Sequence, residues 1–364
     1  MTHTSLLFAS VLFLGFVAAL FLGSKVLPGR VRLGAALADG NRLPYKLNGL
    51  MLFVLTWLVV ALGERFQLFS LSVIYTHFWS LLIVANVFSL AVSLLLWRAG
   101  RRQPDVEAAT TSGRRRPARL RDFWYGVELN PRWFGVDLKM FSYRPSLIGL
   151  GLMVAAFAAV QYQRYGFISG RMWLFQAFWF LYLANYFQFE HGMLYTWDII
   201  AERFGFMLIW GDYVVVPFFY SVAGWYLVDQ VEPLPVAVGV GLVLLFLIGF
   251  ILFRGANGQK HRYKMNPQAH IWGKPAETLG GRLLVSGFWG IGRKLNYTGE
   301  LCLYFAIALT TGWVSIVPYL LPLWLTGLLV HRAGRDEQRC REKYGSLWNE
   351  YCQRARFRMF PYIY

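Results

Sequence analysis

Long apolar runs, separated by short polar or basic segments, dominate the pattern of this chain. Nine runs are candidate membrane spans, and the longer ones reach the about 20 apolar residues that cross a hydrocarbon core of ~30 Å. The predicted spans are 5–24, 47–63, 68–97, 146–163, 171–189, 204–228, 235–253, 299–313 and 315–331. A further stretch, 283–292, is too short to cross alone and could form half of a broken helix. The pattern predicts an all-α polytopic membrane protein with nine to ten transmembrane helices.

Composition supports this fold class. Hydrophobic residues make up 57% of the chain and charged residues 15%, against about 25% charged residues in soluble domains. The formal net charge is +17, which could indicate a nucleic-acid partner. Membrane proteins retain Lys and Arg in their cytoplasmic loops, so the surplus has a simpler explanation and we expect no nucleic-acid partner.

The distribution of Lys and Arg predicts the orientation. The basic segments are 25–46, 98–121, 254–282 and the C-terminal tail, whereas the alternate loops 64–67 and 229–234 are short and poor in Lys and Arg. Basic loops face the cytoplasm. We therefore expect all four basic segments on the cytoplasmic side and the N-terminus opposite, in the endoplasmic reticulum if the protein is eukaryotic or the inner membrane if it is bacterial.

The segment 99–121 is rich in Arg, Pro, Gly, Ser and Thr, a composition typical of a flexible linker. It predicts a three-span region, 1–98, joined by a basic linker to a larger membrane domain, 122–364. The first apolar run lacks an evident cleavage site and is interpreted as a retained span. Three cysteines without paired spacing argue against a disulfide framework or a zinc site, so no metal is expected.

Among the acidic residues within or beside apolar runs, Glu190, Asp198 and Asp212 lie in a region rich in aromatic residues. A charge at the centre of a membrane helix costs about 2.5–3.5 kcal/mol on insertion scales, which makes such positions informative. The spacing of positions 186, 190, 193 and 197 predicts one shared helical face. Each acid alone could simply bridge helices or pair with an arginine such as Arg203. Three acids among aromatic residues predict a buried polar pocket.

Two further stretches carry candidate chemistry. The glycine-rich stretch "LLVSGFWGIGRKLNYTGE" at 283–300 places Arg293 and Asn296 three residues apart, so on a helix both would face one ligand. Small residues also serve ordinary helix packing in membranes. The C-terminal tail is basic and amphipathic, and it could be no more than an interfacial helix with snorkelling arginines.

Six ordered blocks resemble the sterol reductase family, which includes delta-14 sterol reductases, the membrane region of lamin B receptor and 7-dehydrocholesterol reductase. The blocks are "FWYGVELNPRWFGVDLKMFSYRP" (123–145), "TWDIIAERFGFMLIWGDYVVVPFFY" (196–220), "FRGANGQKHRYKMNP" (253–267), "HIWGKP" (270–275), "LLVSGFWGIGRKLNYTGE" and "HRAGRDEQRCREKYGSLWNEYC" with the ending "PYIY". The resemblance covers roughly 120–364. The "FRGAN" block and the tail look closer to the delta-14 branch. Lys294 and Glu300 stand where relatives usually have His and Asp.

This resemblance implies NADPH-dependent reduction of a sterol ring double bond, with C14=C15 foremost and delta-7 or other double bonds as alternatives. An isolated alkene accepts hydride only after protonation to a carbocation. The proton donor therefore has to be a carboxylic acid that stays protonated near neutral pH. The candidates are Glu190, Asp198 and Asp212, with relay through Tyr195 or Tyr213.

By the same resemblance, the cofactor site is expected on the cytoplasmic side of the C-terminal half. The expected cofactor-binding residues are Lys260, Lys264, Trp289, Arg293, Asn296, Tyr297, Arg332, Asp336 and Tyr344. No Gly-x-Gly-x-x-Gly follows a predicted strand, so a Rossmann domain is not expected. The sterol is expected to enter from the bilayer.

Two rival functions remain open at this stage. Isoprenylcysteine carboxyl methyltransferases, which bind S-adenosylmethionine, resemble the same C-terminal region, but "FRGANGQKHRYKMNP" and "ELNPR" (128–132) favour the reductases. A non-catalytic membrane anchor is disfavoured because unused intramembrane charge is costly.

Overall fold

The computed structural model describes residues 3–36, 40–102 and 119–364. Backbone contacts group the chain into two compact units: Met1–Ile168 with Trp179–Val228, and Ser169–Phe178 with Asp229–Tyr364. The sequence-based division at 98 and 121 stays a prediction, since most of the expected linker lies outside the described residues.

The first unit is built mainly from helices. They are α1 (His3–Val26), α2 (Gly49–Arg65), α3 (Ser72–Thr76), α4 (Phe78–Arg101), α5 (Arg119–Tyr125), α6 (Leu138–Tyr165), most of α7 (Gly170–Gln188), α8 (Trp197–Ile200), α9 (Phe206–Trp210) and α10 (Ala223–Val228). A 3₁₀ segment covers Glu190–Tyr195 and a π-helical segment covers Gly211–Phe219. Two antiparallel hairpins pair β1 (Arg30–Leu33) with β2 (Pro44–Leu47) and β3 (Arg132–Trp133) with β4 (Val136–Asp137).

The second unit contains the first residues of α7 and the rest of the chain. Its helices are α11 (Val236–Met265), α12 (Phe288–Ile291), α13 (Leu295–Leu309), α14 (Val317–Tyr344) and α15 (Ser346–Arg354). Two short antiparallel hairpins pair β5 (His270–Ile271) with β6 (Lys274–Pro275) and β7 (Thr278–Leu279) with β8 (Leu283–Leu284).

Five helical segments in the described part of the chain are long and apolar enough to cross a membrane. They are His3–Val26, Phe78–Arg101, Leu138–Tyr165, Phe206–Val228 and Val236–Met265. The four other predicted spans overlap α2, α7, α13 and α14, and their crossing stays a prediction.

Two predictions about continuity need correction. The predicted span 68–97 is divided, because α3 ends at Thr76 and α4 begins at Phe78. The stretch 283–292 is not half of a membrane helix. It contains the two-residue strand β8 and the single turn of α12. Between them, Gly287 adopts the left-handed region at φ 62°.

Local chemistry explains the boundaries of α6 and the close packing of the second unit. Asp137 caps α6, its Oδ1 accepting a hydrogen bond from Met140 N at 2.9 Å, and Gly166 ends the helix at φ 77°. Helices α11 and α13 touch through their backbones at Gly299, where a Cβ would lie 2.4 Å from the nitrogen of Phe253. Small residues allow this approach between apolar helices.

The region between 186 and 220 is the least regular part of the first unit. The shared face predicted for positions 186, 190, 193 and 197 is wrong, because α7 ends at Gln188 and a 3₁₀ segment precedes α8. The π-helical turns then place Asp212 inside an otherwise apolar segment. Such turns are frequent at functional sites because they re-aim side chains.

Candidate functional site

Asp198 lies on the short helix α8, with a half-buried side chain. Its Oδ2 accepts a hydrogen bond from the hydroxyl of Tyr143 at 3.2 Å, and Tyr143 belongs to α6. The contact joins two segments that are 55 residues apart in sequence. A carboxyl group bonded to a tyrosine hydroxyl can exchange a proton with it.

Lys139 holds the segment that carries Asp198, and sequence reasoning missed it. The side chain is fully buried at 0% exposure. Its ammonium donates to the backbone carbonyls of Asp198 at 2.6 Å, Ile199 at 3.3 Å and Glu202 at 2.6 Å. An ammonium has three donors, so these three carbonyls use them all. The sequence does contain Lys139 in the block 123–145, but this block precedes the predicted span 146–163, so hydropathy does not mark the lysine as buried.

Asp212 and Tyr213 lie on the π-helical segment, which packs against α6. Asp212 is buried at 7% exposure, and Lys139 lies within electrostatic range of both Asp212 and Asp198. The hydroxyl of Tyr213 accepts a hydrogen bond from Ser142 Oγ at 3.2 Å. The structure thus brings Asp198 and Asp212, two of the three predicted acids, around one buried lysine.

Glu190 has different surroundings. Arg144 contacts its Oε1 through Nε and Nη2, each at 2.9 Å, and the backbone nitrogen of Gly49 donates to its Oε2 at 3.0 Å. Both carboxylate oxygens of Glu190 accept hydrogen bonds, so protonation of either oxygen would break one of these bonds. Arg144 also donates to the carbonyl of Lys46 at 2.9 Å. These contacts tie the start of α2 to α6.

Two further tyrosines, Tyr186 and Tyr195, differ in how deeply they are buried. Tyr186 on α7 has its ring 6.5 Å from that of Tyr143, and its buried hydroxyl has no hydrogen-bond partner among the described residues. Tyr195, a predicted relay, lies on the 3₁₀ segment with 48% exposure. The relay role of Tyr195 stays a prediction.

A second group of candidates lies in the second unit, where Lys260 stacks on Trp289. The Lys260 ammonium is 4.6 Å from the centre of the Trp289 ring, a cation–π distance. Trp289 is fixed by its indole nitrogen, which donates to the carbonyl of Ala256 at 2.8 Å. Lys260 keeps exposed surface, and so does Lys264 one turn further along α11.

Lys294 and Asp336 contact each other as an ion pair. Burial lowers the pKa of Lys294 to about 7, and repulsion from Lys260 acts in the same direction. The contact with Asp336 favours the charged form. Lys294, the position that departs from the family pattern, thus lies close enough to Lys260 for the two ammonium groups to repel each other. Arg332 is half-buried on α14, and its expected role in cofactor binding stays a prediction.

Arg293 is engaged in holding the C-terminal segment. Its guanidinium contacts Glu337 Oε1 at 2.8 and 3.0 Å and donates to the carbonyls of Ala355 at 2.6 Å and Arg356 at 3.0 Å. Burial alone would raise the pKa of Glu337, but Arg358 and Arg293 together lower it. Arg293 also precedes the first residue of α13, so the helical face predicted for it and Asn296 is wrong.

The remaining predicted residues have polar or aromatic contacts of their own. Asn296 Nδ2 donates to Asn257 Oδ1 at 3.3 Å, while the buried Asn296 Oδ1 lacks a partner in the part of the chain described. The Lys294 ammonium is 5.8 Å from the ring of Tyr297. Tyr344 has Lys343 over its ring at 5.2 Å and lies 6.4 Å from Trp348.

These residues fit a dinucleotide with several phosphates. Lys264 and Lys343 lie close enough to repel the Lys260 ammonium, so positive charges gather beside Trp289. The unpartnered amide oxygen of Asn296 could accept from a ribose hydroxyl or a carboxamide. Within the described residues, no group of three or more His, Cys, Asp or Glu side chains could hold a metal ion.

Comparison with known proteins gives one family. The chain matches the ergosterol biosynthesis ERG4/ERG24 family over residues 4–364. The similarity therefore extends well beyond the 120–364 expected from the sequence blocks.

Individual relatives agree with this match. The chain is 40% identical over 348 residues to the Delta(14)-sterol reductase of Arabidopsis thaliana, covering 95% of this chain and 93% of the relative. It is 38% identical over 359 residues to the Delta(14)-sterol reductase of Methylotuvimicrobium alcaliphilum, covering 96% and 83%. It is 32% identical over 364 residues to the 7-dehydrocholesterol reductase of Danio rerio, covering 93% and 74%. The chain belongs to the ERG4/ERG24 family of sterol reductases.

Proposed function

We propose that this protein reduces the C14=C15 double bond of a sterol with NADPH. The observation that carries the proposal is that this one chain contains two kinds of cluster. Carboxyl groups lie around Lys139 in one unit, and cations lie around Trp289 in the other. The two relatives named above that are most similar in sequence bear the name Delta(14)-sterol reductase. The reaction needs both a proton and a hydride, and the two clusters suit one each.

Residues of the second unit would hold the cofactor. Lys260, Lys294 and Arg332 would contact its phosphates, since charge-assisted hydrogen bonds to phosphate are strong. Lys264, Trp289, Asn296, Tyr297 and Tyr344 would surround the bases and riboses. Asp336 would orient Lys294, and Arg293 would act as a positioning residue through its contacts with Glu337 and the C-terminal carbonyls. NADPH, when bound, supplies the hydride.

Residues of the first unit would supply the proton. Transfer of a proton to C15 breaks the π bond and leaves a tertiary carbocation at C14, which the hydride then converts to a C–H bond. Asp198 is the favoured donor because the Tyr143 hydroxyl, which donates to its Oδ2, is placed to return a proton to the carboxylate after transfer, and Asp212 is the second candidate. Glu190 would act as a structural tie because its oxygens are both engaged. Tyr213 and Tyr195 remain proposed relays.

The membrane arrangement forms part of the proposal. Nine to ten transmembrane helices would place 254–300 and the tail on the cytoplasmic side, where NADPH is available. The sterol would come from the bilayer. The enzyme would reside in the endoplasmic reticulum of a eukaryote or the inner membrane of a bacterium, with catalysis in 122–364.

The test is expression in yeast that lacks sterol C14 reduction, followed by gas chromatography and mass spectrometry of the sterols. We expect the Δ14 intermediate to disappear and its 14,15-reduced product to form. Loss of a delta-7 bond with the Δ14 bond intact would favour the alternative represented by the Danio rerio relative. Purified protein that binds S-adenosylmethionine and not NADPH would instead indicate a methyltransferase, and binding of neither cofactor with no sterol change would indicate an anchor.

A further inference from the structure

A cavity of about 180 Å³ lies in the first unit, next to the C-terminal end of α1. Its walls come from α1, from β2 and from the β3–β4 hairpin with the start of α6. The lining includes charged groups of both signs: Lys25, Lys46, Arg144 and Asp137. The proposed reaction uses none of these residues as a reacting group.

Two buried polar atoms on the lining residues lack hydrogen-bond partners among the described residues: Asp137 Oδ2 and Ser24 Oγ. Asp137 is 6% exposed and Ser24 2% exposed. The other carboxylate oxygen of Asp137 caps α6, and the nearest cation, Arg132 Nε, is 4.0 Å from Oδ2. Buried polar atoms are rarely left unpaired. Asp137 Oδ2 therefore requires a donor, such as an ammonium, a hydroxyl or water.

Two lysines supply positive charge at the cavity. Lys46 Nζ donates to the carbonyl of Lys25 at 2.8 Å, which uses one of its three donors. The Lys25 ammonium is 4.8 Å from the centre of the Phe134 ring. Arg144 is committed to Glu190 and to the Lys46 carbonyl. Lys25 and Lys46 therefore remain to attract an anion.

The surroundings of the cavity are typical of a membrane interface. Helix α1 is long and apolar enough to cross a bilayer, and it ends at Val26 beside the cavity. Trp133 and Phe134 at the hairpin tip are 58% and 65% exposed. Phe134 and Gly135 both have positive φ, which gives the tight turn that presents the aromatic pair. Exposed aromatic residues at the end of a span are enriched at headgroup depth.

We propose that this cavity binds a phosphate ester that carries an N–H or O–H donor, and that its source is a phospholipid headgroup such as phosphoethanolamine. Lys25 and Lys46 contact the phosphate, and Asp137 Oδ2 accepts from the ammonium or hydroxyl. The acyl chains lie along α1, which exposes apolar side chains such as Leu22 at 59%. The proposal does not depend on the reaction that the protein catalyses.

The test compares lipids that differ only in their donors. Purified full-length protein is placed in nanodiscs of equimolar phosphatidylethanolamine and phosphatidylcholine with identical acyl chains, and retained lipid is counted by native mass spectrometry. Phosphatidylcholine has a trimethylammonium group without an N–H. We expect the wild type to prefer phosphatidylethanolamine about tenfold, the fold-change of one charge-assisted hydrogen bond.

Two variants separate the contributions. Asp137→Asn keeps the α6 cap, because Asn is as good a capping residue, but it removes the acceptor. We expect its lipid preference to fall to within about twofold. Lys46→Gln should lower retention of both lipids without changing their ratio. The matched control is Lys274→Gln on β6, an exposed lysine of the second unit, which should match the wild type.

Three results would overturn the proposal. Equal retention of the two lipids by the wild type means that water fills the cavity. Displacement of lipid by soluble phosphoethanolamine at equal concentration means that the ligand is a soluble ester. An increased KM for sterol in Asp137→Asn with unchanged lipid retention means that the site anchors the sterol hydroxyl.

Discussion

The two charged clusters of this protein differ in how their charges are paired. Around Asp198 the groups have fixed partners: Lys139 uses all its donors on carbonyls, and Glu190 is held by Arg144 and Gly49. Around Trp289, cations lie near one another and an amide oxygen has no partner in the described residues. In the first cluster Lys139 and Glu190 are thus paired, although the buried hydroxyl of Tyr186 lacks a partner among the described residues, whereas in the second cluster like charges repel one another.

This difference matches what the two proposed roles require. A proton donor must be held in one geometry before the substrate arrives, because a misplaced acid loses much of its catalytic effect. A cofactor that binds and leaves each turnover must meet groups whose mutual repulsion it relieves. The comparison predicts that changes in the first unit alter turnover, and that changes in the second alter cofactor affinity.

The largest expected effect is on turnover. Asp198→Asn should lower turnover at least ~100-fold, since general acid catalysis contributes about 10²–10⁴-fold, while NADPH affinity stays unchanged. If Asp212→Asn gives the loss and Asp198→Asn does not, the donor is Asp212. Turnover at normal rates in both variants would show that the donor lies outside this cluster. Sterol product is measured by gas chromatography, and NADPH affinity by titration calorimetry.

Glu190→Gln is the matched comparison in the same unit. It leaves Arg144 buried without its carboxylate, and removing one partner of a buried ion pair costs about 3–5 kcal/mol. We expect a lower melting temperature and near-normal turnover in the protein that remains folded. Normal melting with abolished turnover would make Glu190 the proton donor.

In the second unit, Arg332→Gln should weaken NADPH binding by roughly 10- to 150-fold. Charge-assisted hydrogen bonds contribute about 1.5–3 kcal/mol each, and ~1.4 kcal/mol is tenfold. The melting temperature of the cofactor-free protein should not change. Arg335→Gln, one turn along at an exposed position of α14, is the charge-matched control. Unchanged NADPH affinity in Arg332→Gln would leave the tail as a plain interfacial helix.

Lys139 tests the comparison further, because it would affect turnover only by positioning the segment that carries Asp198. Lys139→Met leaves three backbone carbonyls without their donor, so the Asp198 segment should shift and turnover should fall about 10- to 100-fold. Lys139→Arg, which keeps the charge and the donors, should recover part of the turnover. A purely structural role predicts a lower melting temperature in Lys139→Met with normal turnover per folded molecule.

The smallest effect concerns pH. The pKa of Lys294 is lowered to about 7 from 10.5, so the ammonium loses its proton as pH rises through 7. NADPH affinity should therefore fall severalfold between about pH 6 and pH 9, with proton uptake on binding. The unfolded chain keeps that proton up to about pH 10.5, so this group makes the cofactor-free protein more stable as pH rises across this window. Lys294→Arg should flatten the affinity profile, and an unchanged slope would contradict the assignment.

Sequence patterns predicted the helices because each apolar run is a local feature that a membrane or a core must bury. They also located the acids and the cations by type. They could not find the partners, since Lys139 reaches its carbonyls across 59 to 63 residues and Lys294 reaches Asp336 across 42. Pairing at such distances depends on how helices pack, which hydropathy does not specify.

The sequence pattern also failed to predict where the helices break. Positions 186 to 197 have helical spacing, yet the 3₁₀ segment after Gln188 brings Glu190 to Arg144 instead of continuing the face. Arg293 and Asn296 are three residues apart, but only Asn296 is helical. Tertiary contacts with a buried arginine and with C-terminal carbonyls outweigh local propensity at both places.

The central claim is that a proton from the protein and a hydride from NADPH add to opposite ends of the C14=C15 bond. Its most direct test uses purified protein, a Δ14 sterol and NADPH deuterated at the transferred position, followed by NMR and mass spectrometry of the product. We predict one deuterium at C14 and none at C15 in ordinary water, with the pattern reversed for unlabelled NADPH in heavy water. Deuterium from NADPH at C15, or a reduced product without deuterium from either source, would contradict the account.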